Sequence, residues 1–506
     1  MLRGLFAVAG SKRDSAGEGK SSPAGGEADD GQHAAAPAGE DISAHAGLAA
    51  QLRYPRLPRR KAVEDSNFSV VLMLAFLWLY VGAVWSPDAR LAALNVAVLS
   101  CDAGVPAPLR SSVPPLLAGG AVGSGLLARS VLNVSSPAAH LLGWQPFTCK
   151  AQAGAPSCAA VASACRAELV RAVERGDVWS ALYVPPEFTA SLASNIPLLR
   201  LNASAPRMEH ILGTGRSYST YTYVKALVGG TVAALSTSLG TTLLADPTLS
   251  ALLRPAYFLA PVGLTETDLH PVSNFGQAYC CELMCVVLWI GSSFLAAILL
   301  PLKSAEQIEP GGTRSVSRRE ALRVIGARLA VTVAYCFAHS IALVAVLLCL
   351  GGYSDSEAHP KTVWAHNPGV AIAYGAYMCW AFTMMNAVLH VILLATIGHD
   401  AYPPFVTFFL ILQQTASAGV FATALSNRFF KIGLGFPMYY GVRAFRTIFF
   451  GGQENWMPIN WMVPTVWNAG CTAAYVFCML RRMQRRADAP AKAAQHPMEL
   501  DGVMAA

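Results

Sequence analysis

Apolar runs of about 20 residues or more dominate the second half of the chain, and a further run lies near residue 70. In chain order the six runs are Asn67–Trp85, Tyr279–Leu300, Ile325–Leu350, Gly369–Ile397, Phe405–Leu425 and Trp461–Leu480. At a helical rise of about 1.5 Å per residue, each is long enough to cross the hydrocarbon core of a bilayer. The pattern predicts an α-helical polytopic membrane protein with six transmembrane helices.

The composition agrees with a lipid environment. Of 506 residues, 54% are hydrophobic and 13% are charged, whereas soluble chains carry roughly 25% charged residues. The formal net charge of +7 is too small for a chain of this length to indicate nucleic-acid binding. The lipid bilayer is therefore a predicted partner and nucleic acid is not.

Three basic clusters flank the runs and predict their direction. They precede the first run, separate the second from the third, and follow the sixth. Their members are Arg53, Arg56, Arg59, Arg60 and Lys61; Lys303, Arg314, Arg318, Arg319 and Arg323; and Arg481, Arg482, Arg485 and Arg486. By the positive-inside rule all three lie in the cytosol, so both termini do as well. We expect a multi-pass protein of the plasma membrane, with another endomembrane as the alternative.

One further apolar segment, Ala226–Ala245, competes as a span. It is rich in Gly, Ser and Thr, and counting it would place the second basic cluster outside the cytosol. We therefore predict a long helix that packs in the external domain or onto the first spans. The alternative with seven spans stays open.

Residues 86–278 lie between the first two spans and form one predicted extracytoplasmic domain. Ala93–Ser100 and Val178–Val184 are short apolar runs followed by turn residues, a pattern typical of strands. Cys165–Arg175 and Glu187–Ala193 predict helices. Alternating strands and helices favour an α/β domain.

Four cysteines of this domain are candidates for disulfides outside the cytosol: Cys101, Cys149, Cys158 and Cys165. Four cysteines allow three pairings, and their spacing selects none. Free thiols are the alternative. Asn133 and Asn202 begin glycosylation sequons on the same side.

The remaining regions carry no recognisable catalytic chemistry. Residues 1–66 predict a disordered cytosolic tail because they are poor in large apolar residues, and residues 481–506 predict a second cytosolic tail. Gly17–Ser21 resembles the end of a phosphate-binding loop, but Asp14 stands where that motif begins with Gly. We expect no enzyme activity, cofactor or metal.

Six polar residues lie inside the predicted spans: His339, Asn386, His390, Gln413, Gln414 and Asn468. Polar groups in hydrocarbon face the bundle interior because exposure to lipid is costly. They predict either a transport seam or interhelical hydrogen bonds that hold the bundle together.

Residues 436–450 predict an apolar helix between the last two spans. We expect it to lie at the outer membrane interface, with its tyrosines at headgroup level; an apolar external loop is the alternative. The residues that characterise it are Pro437, Tyr439, Tyr440, Arg443 and Arg446.

Four stretches together resemble a known family. They are the first span followed by Leu94–Val98 and Asp102–Gly104; Trp179–Pro185 with Phe188 and Leu192; Pro261–Pro271; and Gly435–Tyr440 through Arg443, Arg446 and Gly451. These are similar to the fungal and protist proteins named for the yeast nitrosoguanidine-resistance protein, which are related to phage-infection proteins and to type-2 ABC transporter permeases. His270 departs from this pattern, where Arg is expected.

The resemblance spans about residues 68–480 and implies one span, a large outside domain and then five spans. It also implies export of drugs or lipids, or tolerance of toxic compounds. Because the chain has no ATPase motif, we expect the energy to come from a separate ATPase subunit or an ion gradient. The expected partners are a small hydrophobic substrate or lipid and, in addition, that ATPase subunit or a homo-oligomer. A non-transporting receptor or scaffold whose external domain binds a ligand is the alternative function.

Overall fold

The computed structural model describes residues 59–84, 86–107, 110, 120–133, 140–153, 155–195, 205–245, 247, 260–272, 275–299, 317–352, 368–419, 421–451 and 453–495. Residues 1–58 of the predicted disordered tail lie outside the described residues, whereas residues 59–66 of that tail belong to a helix. Lys303 and Arg314 of the second basic cluster and the sequon residue Asn202 also lie outside the described residues.

Ten α-helices and five strands organise the described residues. The helices are α1 Arg59–Val84, α2 Val122–Ser130, α3 Ala162–Arg175, α4 Phe188–Asn195, α5 Tyr218–Ala245, α6 Phe275–Leu299, α7 Arg318–Gly352, α8 Pro368–Ala416, α9 Pro437–Phe450 and α10 Met457–Gln495. The strands are β1 Asn95–Ser100, β2 Gly143–Pro146, β3 Ser180–Val184, β4 Arg207–Leu212 and β5 Gly263–Asp268.

The five strands form one mixed sheet between α1 and α6, in the order β2-β1-β3-β4-β5. Strand β1 runs parallel to β2 and β3, β3 is antiparallel to β4, and β4 is parallel to β5. All five residues of β3 are buried because the sheet is covered on both faces. The predicted α/β domain between the first two transmembrane helices is thus confirmed.

The two faces of the sheet bury different clusters because alternate strand residues point to opposite sides. Val96, Val98 and Leu182 belong to the face that packs on α5. Ala97, Leu99 and Tyr183 belong to the other face, which packs on α3 and holds four cysteines.

The four cysteines form the pairs Cys101–Cys158 and Cys149–Cys165, which are 57 and 16 residues apart in sequence. The structure therefore selects one of the three pairings that the sequence left open. Cross-links of this kind stabilise a domain mainly by restricting its unfolded chain.

Helix α5 contains the competing segment and packs within the α/β domain. Its buried apolar residues recur at helical spacing in the same cluster as the β1, β3 and β4 side chains; they are Tyr221, Val224, Val228, Val232, Leu235, Leu239 and Leu243. Ser236 Oγ also accepts a hydrogen bond from the Val262 backbone N–H at 3.0 Å. This is the predicted packing within the α/β domain.

Five helices of the described residues are long and apolar enough to cross a membrane, or six if a bent pair near the N-terminus counts as one span. They are Tyr218–Ala245, Gly276–Ala296, Arg318–Leu347, Ile372–Gly398 and Met457–Met483; the bent pair is Val70–Val84 with Pro87–Ala93. The chain is a multi-pass membrane protein. Helix α5 meets these criteria of length and composition even though its buried face packs on the sheet.

The predicted fifth span, 405–425, differs from the structure. Helix α8 is interrupted at Gly398, where φ is 80°, and its second half ends at Ala416. Beyond it the chain turns at Ala418, where φ is 61°, and Leu425 is buried in the core of the α/β domain. The apolar run 405–425 extends beyond the end of α8 because its last residues contact the α/β domain.

Ring and hydrogen-bond contacts give the helix directions. The rings of Phe76 and Phe408 are stacked, and the Tyr80 hydroxyl donates a hydrogen bond to Gln414. Helix α1 therefore runs parallel to the second half of α8. In the first half of α8, Tyr374 contacts Trp461, and Tyr377, one turn further along, contacts both Trp461 and Thr465, so that half runs parallel to α10. These are the relative directions that the basic clusters predict.

Candidate functional site

The six polar residues of the predicted seam do not form one group in the structure. His339 is exposed, with its ring 6.2 Å from that of Tyr335. Asn468 is half-buried and accepts a hydrogen bond of 3.4 Å from Thr472 within its own helix. Both therefore lie away from the bundle interior.

Asn386, His390 and Gln413 are buried in the interior. His390 Nδ1 lies 3.0 Å from the Tyr402 hydroxyl, and its Nε2 lies 3.3 Å from the Trp289 carbonyl oxygen. Within the described part of the chain, the amide groups of Asn386 and Gln413 have no hydrogen-bond partner. Such groups are uncommon in native interiors and mark places where a polar ligand or water fits.

Helix α9 contains the predicted interfacial motif but is surrounded by protein. Twelve of its fourteen residues are buried, including Pro437 and Tyr439, while Tyr440 and Arg443 are half-buried. Phe445 and Phe449 belong to the bundle core. The helix is apolar because it packs against neighbouring helices, and this differs from the predicted position along a membrane surface.

One side of α9 borders a cleft between the α/β domain and the end of the bundle that contacts it. We call it the arginine cleft; its charged and aromatic lining consists of Trp179, Arg216, Tyr439, Arg443, Arg446 and Trp456. It encloses about 570 Å³, including its open mouth. Five segments of the chain converge here: Trp179 before β3, the turn between β4 and α5, the turn after α8, helix α9 and the segment just before α10.

The guanidiniums of the arginine cleft are held against aromatic faces. Arg216 lies 3.6 Å from the ring centroid of Trp179 and donates to the Val178 carbonyl. Arg443 lies 4.5 Å from the ring centroid of Trp456 and donates to the Tyr439 hydroxyl at 3.2 Å. Stacking of this kind fixes a guanidinium and leaves its edge free to bind an anion.

Arg446 joins the segments that form the cleft. Its guanidinium donates to the carbonyl oxygens of Arg216, Ala418 and Gly419, at 3.0, 3.1 and 2.6 Å. The side chain is buried, with 8% of its surface exposed. Arg446 therefore holds α9 to the α/β domain and to the turn that follows α8.

The arginine cleft is electropositive. No Asp or Glu is among its lining residues, and none of the three arginines forms a salt bridge within the described ranges. Burial lowers the pKa of the Arg216 guanidinium, and the Arg443 charge acts in the same direction. An anion placed between these like charges would relieve their repulsion.

A buried acid lies in the adjoining cavity. Glu282 of α6 is 4% exposed and accepts a hydrogen bond from Gln414 at 3.2 Å, and Gln414 accepts one from Tyr80 at 2.9 Å. Among the predicted seam residues, Gln414 thus links a buried acid to α1.

The sequence reasoning missed Glu282, Arg216, Trp179 and Trp456. Glu282 carried a visible signal, since it is the single charged residue in the apolar run Tyr279–Leu300 and such residues mark functional positions. Arg216 and Trp179 are remote in sequence from α9, so no local pattern could have joined them to Arg443 and Arg446. Trp456 lies shortly after the end of α9, outside the apolar pattern of that helix.

A family model described as "Protein of unknown function (DUF3533)" matches residues 68–472. The match begins in α1 and ends within α10, so it includes the α/β domain, the arginine cleft and Glu282. No functionally curated protein and no solved structure shows significant similarity to the chain.

Proposed function

The chain belongs to the DUF3533 family of proteins of unknown function, and we propose that it is a permease-like membrane protein that exports or translocates lipids or other hydrophobic compounds. The arginine cleft is the observation that carries this proposal. It lies where the helical bundle meets the α/β domain, at the place where an exit from the bundle would open.

The chemistry of the cleft suits an amphiphile with an anionic head. Arginine presents several N–H donors in one plane, which matches the oxygens of a phosphate or carboxylate. Trp179, Tyr439 and Trp456 add rings that contact both polar headgroups and apolar chains. A substrate of this kind agrees with the drug-resistance and lipid-export roles that the motif resemblance implies.

The interior of the bundle offers further support. Asn386 and Gln413 are buried polar groups of α8 that lack hydrogen-bond partners among the described residues. Unsatisfied amides inside a membrane protein favour a passage for polar groups over a purely structural seam. The energy would come from a separate ATPase subunit or an ion gradient.

Reconstitution tests this function. Vesicles that contain the protein and a fluorescent phosphatidylglycerol should show transbilayer movement of the lipid above that of protein-free vesicles, under an ion gradient or with a supplied ATPase. Arg443→Gln should lower the rate about tenfold, since a charged hydrogen bond contributes about 1.5–3 kcal/mol.

Arg428→Gln is the matched control, because Arg428 is exposed and does not line the cleft. Its rate should equal that of the wild type. If no condition gives movement above that of protein-free vesicles, the permease function is wrong.

A receptor or scaffold is the second candidate function. The observation that favours it is the disulfide-linked α/β domain, which contributes Trp179 and Arg216 to the cleft. A protein of this kind would bind the same lipid without moving it. Saturable binding together with a flux equal to that of empty vesicles would favour this function.

A further inference from the structure

We propose that the Glu282 carboxylate is a proton-binding site coupled to anion binding in the arginine cleft. This inference rests on the proposed function, because it makes anion binding in the cleft depend on pH. Three features of Glu282 support it: its buried surroundings, its cavity and its link to Arg446.

Glu282 is a buried carboxylate with few partners. A carboxylate can accept about four hydrogen bonds, whereas the described residues supply one, from Gln414 Nε2 at 3.2 Å. The described residues include no salt-bridge partner for it. An ion buried in this way is costly, and a bound proton removes the cost.

A cavity connects Glu282 with the end of the bundle that contacts the α/β domain. The cavity encloses about 340 Å³ including its mouth and is lined by Tyr80, Val84, Glu282, Gln414, Thr415 and Ser426. Val84 is the last residue of α1 and Ser426 lies beyond α8, so the mouth lies at that end. The hydroxyl and amide groups of the lining provide a polar route for a proton.

Gly419 lies between Glu282 and Arg446. Its carbonyl accepts a hydrogen bond from Arg446 Nη2 at 2.6 Å. On its other side it lies so close to the Glu282 carboxyl that a Cβ at this position would overlap it. The acid next to Gly419 and the buried cation of the cleft are therefore separated by one residue.

The groups that face Glu282 make Arg446 its relevant counter-charge. Helix α1 contributes the Tyr80 phenol, α8 contributes the neutral Gln414, and α6 itself contributes the Cys285 thiol. Arg446 of α9 is the cation among them. The charge of Glu282 therefore acts mainly on Arg446.

The direction of the coupling follows from the charges. Ionised Glu282 offsets part of the positive potential of Arg446, and protonated Glu282 does not. The arginine cleft should therefore bind an anion more tightly as the pH falls. By linkage, binding of the anion should in turn cause uptake of a proton, so both would occupy the protein together.

Equilibrium binding of a short-chain fluorescent phosphatidylglycerol to the full chain in nanodiscs tests the coupling. The phosphodiester keeps its charge across the pH range. For the wild type we expect the Kd to fall at least about fivefold from about pH 8 to about pH 5. Glu282→Gln should bind with the low Kd at both pH values.

Two further variants complete the design. Glu282→Asp keeps a titratable acid and should keep the pH response. Glu266→Gln makes the same chemical change at a partly exposed residue paired with Lys225 and should also keep it. Proton uptake by the wild type on lipid addition, followed with an indicator dye, does not depend on whether any variant folds.

The outcomes separate the two proposals. Binding that does not change with pH, a pH response that Glu282→Gln retains, or binding without proton uptake would overturn the proton site and leave the cleft intact. A complete lack of lipid binding at every pH would overturn the proposed function and the proton site with it.

Discussion

At the scale of single residues, the conspicuous sequence motifs prove to be hydrogen-bond centres of the fold. Asp102 accepts hydrogen bonds from the backbone of Gly104, Gly123 and Thr189, so it ties the starts of α2 and α4 to the end of β1. Asp268 accepts them from the Thr214 backbone and hydroxyl. Both acids belong to stretches that carry the family resemblance, and their role in the described residues is structural.

The residues that could bind a ligand were only partly visible in the sequence. Arg443 and Arg446 stood out because charges are rare in an apolar helix. Their partners Arg216 and Trp179 lie more than 200 residues earlier and meet them only in the folded chain. Residue chemistry can be read locally, whereas a site built from five separate segments depends on packing.

His210 should make the stability of the α/β domain depend on pH. It is fully buried in β4 and, within the described ranges, neither ring nitrogen has a hydrogen-bond partner. Burial, aided by the charge of Lys225, lowers the pKa of His210 to about 3. In the unfolded chain the His210 imidazole therefore binds a proton below about pH 6.5. In the folded domain it binds that proton only below about pH 3.

The sign follows from this difference. The contribution of His210 to stability is fully present above the unfolded pKa and is lost as the pH falls, by up to about 1.4 kcal/mol per pH unit. His210→Leu should therefore reduce the fall in melting temperature between about pH 7 and about pH 5. His140→Gln changes an exposed residue of the same domain and should leave this fall in melting temperature unchanged. If His210→Leu shows the same fall as the wild type, this explanation is wrong.

At the scale of elements, the long apolar helices were the most predictable part of the molecule. The observed helix boundaries differ from the predicted ones where the helix is interrupted, at Gly398, and where the chain turns, after Ala416. Strands β2, β4 and β5 were not predicted because GWQP, RMEHIL and GLTETD contain few of the β-branched and aromatic residues typical of strands. Pairing with apolar neighbours outweighs their weak propensity.

Helix α9 shows why an apolar segment does not reveal its surroundings. A helix on a membrane surface and a helix enclosed by other helices both require apolar residues. The contacts of Phe445 and Phe449 with the bundle core distinguish them, and the sequence pattern does not.

The short 3-10 segment Arg428–Gly435, which precedes α9, depends on one glycine. A Cβ at Gly433 would overlap the carbonyl of Ala416 at the end of α8, whereas a Cβ at Gly435 meets nothing within 4 Å. We expect Gly433→Ala to destabilise the protein by about 1–3 kcal/mol because backbone atoms must move. Thermal melting in detergent checks this, with Gly435→Ala as the control; equal melting temperatures for the two variants would refute it.

At the scale of the whole molecule, the sequence predicts the general organisation and the structure adds how its parts meet. Arg446, Gln453 and Trp456 connect α9 and the start of α10 to the α/β domain through backbone carbonyls. The domain is thus bound to the bundle at the segments that line the cleft. A movement of the domain would change the shape of the arginine cleft, which is a suitable arrangement for an exit that opens and closes.

The measurement that tests the arginine cleft most directly is photo-crosslinking with an anionic lipid analogue, followed by peptide mapping. Label should concentrate on the segment from Tyr439 to Trp456 and around Trp179, and excess phosphatidylglycerol should compete for it. Arg443→Gln should lose most of this label while Arg428→Gln retains it. Equal labelling of wild type and Arg443→Gln, or label spread evenly over the lipid-facing helices, would contradict a ligand site in the cleft.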